Sequence, residues 1–240
     1  MNNVSEGGFK LKKFGLSTAI SAFIIVLLVA SYGCSPSQPE IISVDNEGNT
    51  IVDIESLEEV INESPTTSLT ISEEEGIRYM REEEKLARDV YKQLYDTWGT
   101  NIFGNISNSE QTHMDAMKSL VDRYGLTDPA EGLGAGEFTN PKLQQLNDDL
   151  IEQGSKSEID ALKVGAAIEE IDIIDIEKYV QQTNKQDIEI VYENLLKGSR
   201  NHLRSFISVM EKRGLTYEPQ YLSAEQYNEI ITSDIERGQS

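Results

Sequence analysis

Four long stretches of helical periodicity occupy most of the chain from Ser72 onward, and three of them stop at glycine. The first runs from Ser72 to about Trp98 and ends at Gly99. Ser72-Glu73-Glu74-Glu75 reads as its capping box, with Ser72 as N-cap and Glu75 at N3. The second starts near Asn108 or Ser109 and ends at Tyr124-Gly125. The third covers Ser157 to Gln182, and the fourth Lys185 to Arg213, before Gly214. Shorter helices are expected from Pro141 to Gln153 and from Ser223 to Thr232. A direct helix hairpin needs only a few loop residues. The connection from Gly125 to Ser157, which includes a Gly-rich loop from Gly132 to Gly136, is long enough to return the chain along a bundle. The expected fold class is all-α: a four-helix bundle with a long crossover between the second and third long helices, plus short extra helices.

Upstream of the bundle, residues 35–71 are rich in Ser, Pro, Thr, Asn and acids, and read as a tether. Within them Ile41-Ile42-Ser43-Val44 and Ile51-Val52-Asp53-Ile54 flank Asn46-Glu47-Gly48-Asn49, a pattern that permits a small hairpin. Residues 1–34 read as a targeting segment. Lys10, Lys12 and Lys13 precede an uncharged stretch from Phe14 to Gly33, with Phe23 to Ala30 as its apolar centre. Ser31-Tyr32-Gly33-Cys34 is similar to a lipoprotein cleavage box, with Cys34 as the lipidated residue. An uncleaved signal anchor is the main alternative, because such a stretch can span a bilayer; ordinary secretion is the third. All three place the domain outside the cytoplasm; the lipoprotein, expected first, and the anchor place it in the cell envelope with the membrane as a partner.

Charge and cysteine usage narrow the chemistry. With 21 Lys+Arg against 42 Asp+Glu, the net charge is -21. Such a surface repels nucleic acid, so that class of partner is set aside. Cys34 is the chain's one cysteine. Thiolate zinc sites and iron–sulfur clusters are therefore excluded.

Helical wheels at about 100° per residue identify the inward faces. On the first long helix Met80, Ala87, Tyr91, Leu94 and Trp98 form the stripe. Glu83 and Glu84 flank it, while Glu82 and Lys85 point away. On the second, Glu110 and His113 continue the stripe of Met117, Leu120, Val121 and Tyr124. On the third, Glu169, Asp172 and Asp175 face inward and Glu170 does not. On the fourth, Tyr192, Ser199 and His202 share a face with Ile188, Val191, Leu195, Leu203 and Phe206. His113 and His202 are the two histidines of the chain, and both point inward.

Glu110-x-x-His113 puts a carboxylate and an imidazole one turn apart on one face, a part that di-iron and di-manganese bundles repeat. Glu84, Glu110, Glu169 and Asp172 would then be four acids on inner faces. One unpaired buried ion costs several kcal/mol, against a whole-domain stability of about 5–15 kcal/mol. Two divalent cations would offset four carboxylates, with the two imidazoles completing the ligand set.

These residues also carry a family resemblance. Glu84-Lys-Leu-Ala87-Arg88-Asp-Val-Tyr91 resembles the first-helix pattern of rubrerythrins, which favours Glu84 over Glu83 as ligand. The chain more closely resembles the "domain of unknown function 2202" group of the ferritin-like superfamily. The stretches that carry this are Asn105-Ile106-Ser107-Asn108-Ser109-Glu110-Gln111-x-His113-Met114, Val164-Gly165-Ala166-x-Ile168-Glu169-Glu170 and Gly198-Ser199-Arg200-Asn201-His202. The resemblance spans about residues 72–225 and implies a ferritin-like bundle with two iron or manganese ions. With the inner-face placement, Glu84, Glu110, His113, Glu169 and His202 are the expected metal ligands, with Asp172 supplementary and Ser199 beside them. Tyr91 and Tyr192 on the same faces either hydrogen-bond around the site or pack the core. One departure matters: a second Glu-x-x-His would need glutamate at Ser199. Either Asp172 replaces that carboxylate, or the site is one ligand short. The expected function is a membrane-tethered di-metal oxidoreductase acting on peroxide or dioxygen. It would work with an unidentified redox partner and be compatible with a homo-oligomer. The alternatives are a non-catalytic metal-binding protein and a metal-free interaction bundle, the last with Glu84 and Glu169 facing solvent.

Overall fold

The computed structural model describes residues 40–238. The targeting segment and Cys34 lie outside the described residues. Among the described residues no helix is long and apolar enough to cross a membrane.

In chain order the elements are β1 (Ile42–Val44), β2 (Thr50–Val52), α1 (Ile54–Glu63), α2 (Ile71–Trp98), α3 (Asn101–Arg123), α4 (Pro141–Gly154), α5 (Glu158–Val180), α6 (Gln186–Lys212) and α7 (Ala224–Thr232). The long helices α2, α3, α5 and α6 form the bundle. Gly99 takes φ 66 at the end of α2, a left-handed conformation that costs glycine little, and turns the chain directly into α3. Contacts at both ends set the directions. Trp98 Nε1 donates to the Gly154 carbonyl at 2.9 Å, and Thr183 Oγ1 donates to Glu73 Oε1 at 2.8 Å, so α2 and α5 are antiparallel. Arg123 Nε meets Asp187 Oδ2 at 2.7 Å, so α3 and α6 are antiparallel too. The chain thus leaves α3 at one end of the bundle and enters α5 at the other. This is the long crossover expected, and α4 packs on α2 and α5 along the way.

Several sequence expectations are corrected. The N-cap of α2 is Thr70, not Ser72: Thr70 Oγ1 accepts from Glu73 N, and Glu73 Oε2 accepts from Thr70 N. Glu73 also holds Thr183 near the end of α5, an anchor that Glu75 does not provide. α3 starts at Asn101, earlier than the polar stretch before Ser109 suggested, because Phe103 and Ile106 are fully buried. Residues 42–63, read as part of a tether, fold onto the bundle as a hairpin and a helix. Ile42, Val52, Leu57 and Ile61 bury their apolar surface there. The hairpin pairs Ile42 with Val52 and Val44 with Thr50. It is held from outside as well: Thr50 N donates to Ser109 Oγ at 3.1 Å and Val52 N to Thr112 Oγ1 at 3.0 Å.

Glu82, Lys85 and Glu170, expected to point to water, are buried. They face covering segments instead of the bundle axis. Glu82 accepts from Thr139 N, Thr139 Oγ1 and Asn140 N, which pins the crossover at the start of α4. Lys85 Nζ donates to Asp89 Oδ2 at 2.6 Å and to the Gly134 carbonyl at 2.7 Å. Glu170 accepts from Tyr217 Oη and from the backbone of Gln220, Tyr221 and Leu222. In each case the charge is buried together with its partners, as burial of an ion requires.

The apolar core is split. One cluster gathers Leu86, Val90, Ile106, Ile168, Leu203 and Phe206; the other gathers Met80, Met117, Leu120, Ile176, Val191 and Leu195. On each bundle helix, the histidine or acid of interest falls near where one cluster gives way to the other.

Candidate metal centre

At that junction the bundle brings together Glu84 of α2, Glu110 and His113 of α3, Glu169 of α5 and His202 of α6. All five are at most 1% exposed. Glu110 is the centrepiece. Its Oε2 lies 2.8 Å from His113 Nδ1 and its Oε1 lies 2.9 Å from His202 Nδ1. Glu84 Oε2 is 3.3 Å from His113 Nδ1, and Glu169 Oε2 is 3.5 Å from His202 Nδ1. The imidazoles stack with centroids 5.4 Å apart and planes 20° apart. Two groups result, Glu84–Glu110–His113 and Glu110–Glu169–His202, each with ligand atoms within 4.8 Å of one another. Glu110 belongs to both.

These close approaches are buried ion-pair contacts between imidazole and carboxylate. The nitrogens of both histidines, both oxygens of Glu84 and Glu110, and Glu169 Oε2 have no hydrogen-bond partner although they are buried. Buried polar groups are rarely left this way. Nitrogen and oxygen ligands sit about 2.0–2.2 Å from a first-row metal such as zinc, and adjacent ligands are then about 3 Å from each other. The separations found, 2.8 to 3.5 Å, are ones that atoms sharing a cation would have. The donor set of imidazole and carboxylate could hold a divalent cation.

The carboxylates dominate the local electrostatics. Burial disfavours a charged imidazole, yet Glu110 and Glu84 hold His113 up at about 10, and Glu110 and Glu169 hold His202 at about 9. Burial opposes ionisation of Glu110 too, but the flanking imidazoles bring it well below the usual carboxylate range. Glu84 and Glu169 are raised, chiefly by burial and partly by the Glu110 charge. Without other cations, the five residues can lower their charge only by holding protons.

Tyr91 completes one side. Its hydroxyl donates to Glu169 Oε1 at 2.5 Å and lies 3.1 Å from the Gly165 carbonyl. Glu169 is thereby aimed with Oε2 towards His202.

Residues 73–234 match the family described as "Uncharacterized protein domain (DUF2202)". The chain belongs to the DUF2202 family. Within reach of this DUF2202 chain is the "Uncharacterized protein MJ0754" of Methanocaldococcus jannaschii. It is 53% identical over 180 residues, covering 75% of this chain and 97% of the relative. The crystal structure of hypothetical protein MJ0754 from Methanococcus jannaschii matches with a TM-score of 0.70 at 53% identity, over 72% of this chain and 98% of that one. Neither description carries an activity.

Of the residues that the sequence singled out, Asp172 is buried beside the DUF2202 centre, but both groups form without it. Ser199 is not a ligand substitute: its hydroxyl donates to the Leu195 carbonyl of its own helix at 3.1 Å. Tyr192 takes the core-packing alternative. It shares a face with His202 but sits ten positions away, about 15 Å along the helix at 1.5 Å per residue. There it packs against Tyr179, with centroids 6.4 Å apart. Sequence reading missed Gly198. A methyl group there would lie 2.5 Å from His113 Cε1, so the glycine makes room for the ring. The signal was available in Gly198 sitting one helical turn before His202.

Proposed function

We propose that this DUF2202 protein binds two divalent metal ions, iron or manganese, and acts as an oxidoreductase on small oxidants such as peroxide or dioxygen. The observation that carries the reading is the Glu110 carboxylate, divided between two histidines 2.8 and 2.9 Å away with neither oxygen hydrogen-bonded. Bound iron or manganese would supply the electrons by moving between divalent and trivalent states. Glu84, Glu169 and Glu110 offset the added charge. Tyr91 orients Glu169, and the two apolar clusters keep bulk water from the centre. The basic and then apolar segment before Cys34 supports an envelope protein held at the membrane by a lipid or an N-terminal helix.

The test is turnover. Protein purified without chelators and reconstituted with iron or manganese is expected to consume peroxide or dioxygen, and Glu110→Gln is expected to abolish it. Loaded wild-type protein without turnover would contradict the oxidoreductase reading and favour metal binding alone. That second reading draws on the burial of all five residues, which restricts substrate access. A metal-free interaction bundle called for Glu84 and Glu169 at the surface, and both are 0% exposed.

A further inference from the structure

A centre this buried needs a way in. Surface grooves of about 810, 270 and 610 Å³ are lined by none of its five residues. Entry between helices is the alternative, at one of the two seams that join the α2/α3 and α5/α6 hairpins. The α3/α6 seam is roofed by the β1–β2 hairpin, where Thr50 bonds to Ser109 through its N–H and to Asn201 through its hydroxyl. The α2/α5 seam is covered by α4 along the half near Trp98 and Gly154. Along its other half Lys178 lies 4.3 Å over the Tyr179 ring and 5.7 Å over the Tyr79 ring.

Beneath those side chains are three acids that the centre does not use. Asp175 is at the mouth, 3.2 Å from Tyr79 Oη and 3.3 Å from Lys178 Nζ. The contacts of Gly76 with Tyr179, Tyr79 with Asp175 and Tyr91 with Gly165 set an antiparallel register that puts Glu83 opposite Asp172. Glu83 and Asp172 are each 1% exposed; Glu83 lies against the Asp175 carboxylate, and no N–H donor pairs with either acid. Asp172 is in turn close enough to Glu84 and Glu169 to feel their charge. A packed core gains nothing from two such carboxylates beyond those that hold metal.

We propose that Asp175, Glu83 and Asp172 form an entry route for divalent cations along the α2/α5 seam, leading to Glu84 and Glu169. The incoming cation displaces the Lys178 ammonium from Asp175 to solvent and is then passed inward between carboxylates. No covalent bond or oxidation state changes. The route rests on the metal-centre reading above.

The experiment follows loading of the chelator-stripped protein with Co²⁺ alone, by stopped-flow visible absorption, with the endpoint measured by metal analysis. Glu83→Gln and Asp175→Asn are expected to slow loading tenfold or more with an unchanged endpoint. Lys178→Ala, at an exposed position, is expected to speed it. Effects of opposite sign are not produced by a general loss of stability. Wild-type rates in Glu83→Gln and Asp175→Asn would overturn the route while leaving the centre standing. Should those two fail to fold, an unchanged rate in Lys178→Ala overturns it instead. If wild-type protein takes up no Co²⁺, the metal centre itself fails and the route with it.

Discussion

Gly198 of α6 lies so close to His113 of α3 that a methyl group at position 198 would come within 2.5 Å of Cε1 and 2.6 Å of Nε2. This contact accounts for the asymmetry of the site. Where a second Glu-x-x-His would place a carboxylate, α6 instead offers Gly198 and Ser199, and the bare backbone admits the imidazole. Glu110 alone then serves both histidines. Gly198→Ala is expected to push the ring away from Glu84 and Glu110. Metal content should fall from about two to about one per chain while helix content by circular dichroism holds. Unchanged metal content would mean that the ring position is not critical.

Tyr91 and Glu169 supply a second check. The 2.5 Å hydrogen bond fixes which oxygen of Glu169 faces His202. Groups that orient metal ligands are worth about 10–100-fold in affinity. Tyr91→Phe keeps the ring and its packing on Phe103 and Phe206 but loses the hydroxyl. Chelator competition should show one of the two metals weakened at least tenfold and the other retained. Equal weakening of both, or of neither, would contradict this assignment.

Glu170 carries a structural prediction. It gathers the Tyr217 hydroxyl and three backbone N–H groups from residues 220–222. Glu170→Ala leaves those donors buried without an acceptor, at about 1–3 kcal/mol for each unsatisfied group before relaxation. A net loss of about 3 kcal/mol in urea unfolding is expected, and a loss under about 0.5 kcal/mol would show that the segment is held by other contacts.

Much of the site was legible because periodicity reports the bundle axis. Helical spacing puts Glu110, His113, Glu169 and His202 on inner faces and Glu84 at a stripe edge, where the first-helix pattern favours it over Glu83, and all five meet. Glu82, Lys85 and Glu170 were misread for the same reason: the wheel treats every outward position as solvent. Here the crossover and the segment from Tyr217 to Leu222 cover the outer faces. The sequence leaves Tyr192 between the site and the core because a shared face says nothing of height along the helix. Residues 42–63 looked like a tether because polar residues outnumber the few apolar side chains that dock them. Gly198 escaped notice because its role depends on a ring from another helix, which no local pattern records.

The central claim is that Glu110 is shared by two metal ions. Metal analysis of protein purified without chelators, compared with Glu110→Gln and Glu84→Gln, tests it most directly. About two iron or manganese ions per chain are expected in the wild type, about one in Glu84→Gln and none retained in Glu110→Gln. Wild-type protein without stoichiometric metal, or a Glu110→Gln variant that keeps both ions, would contradict the account.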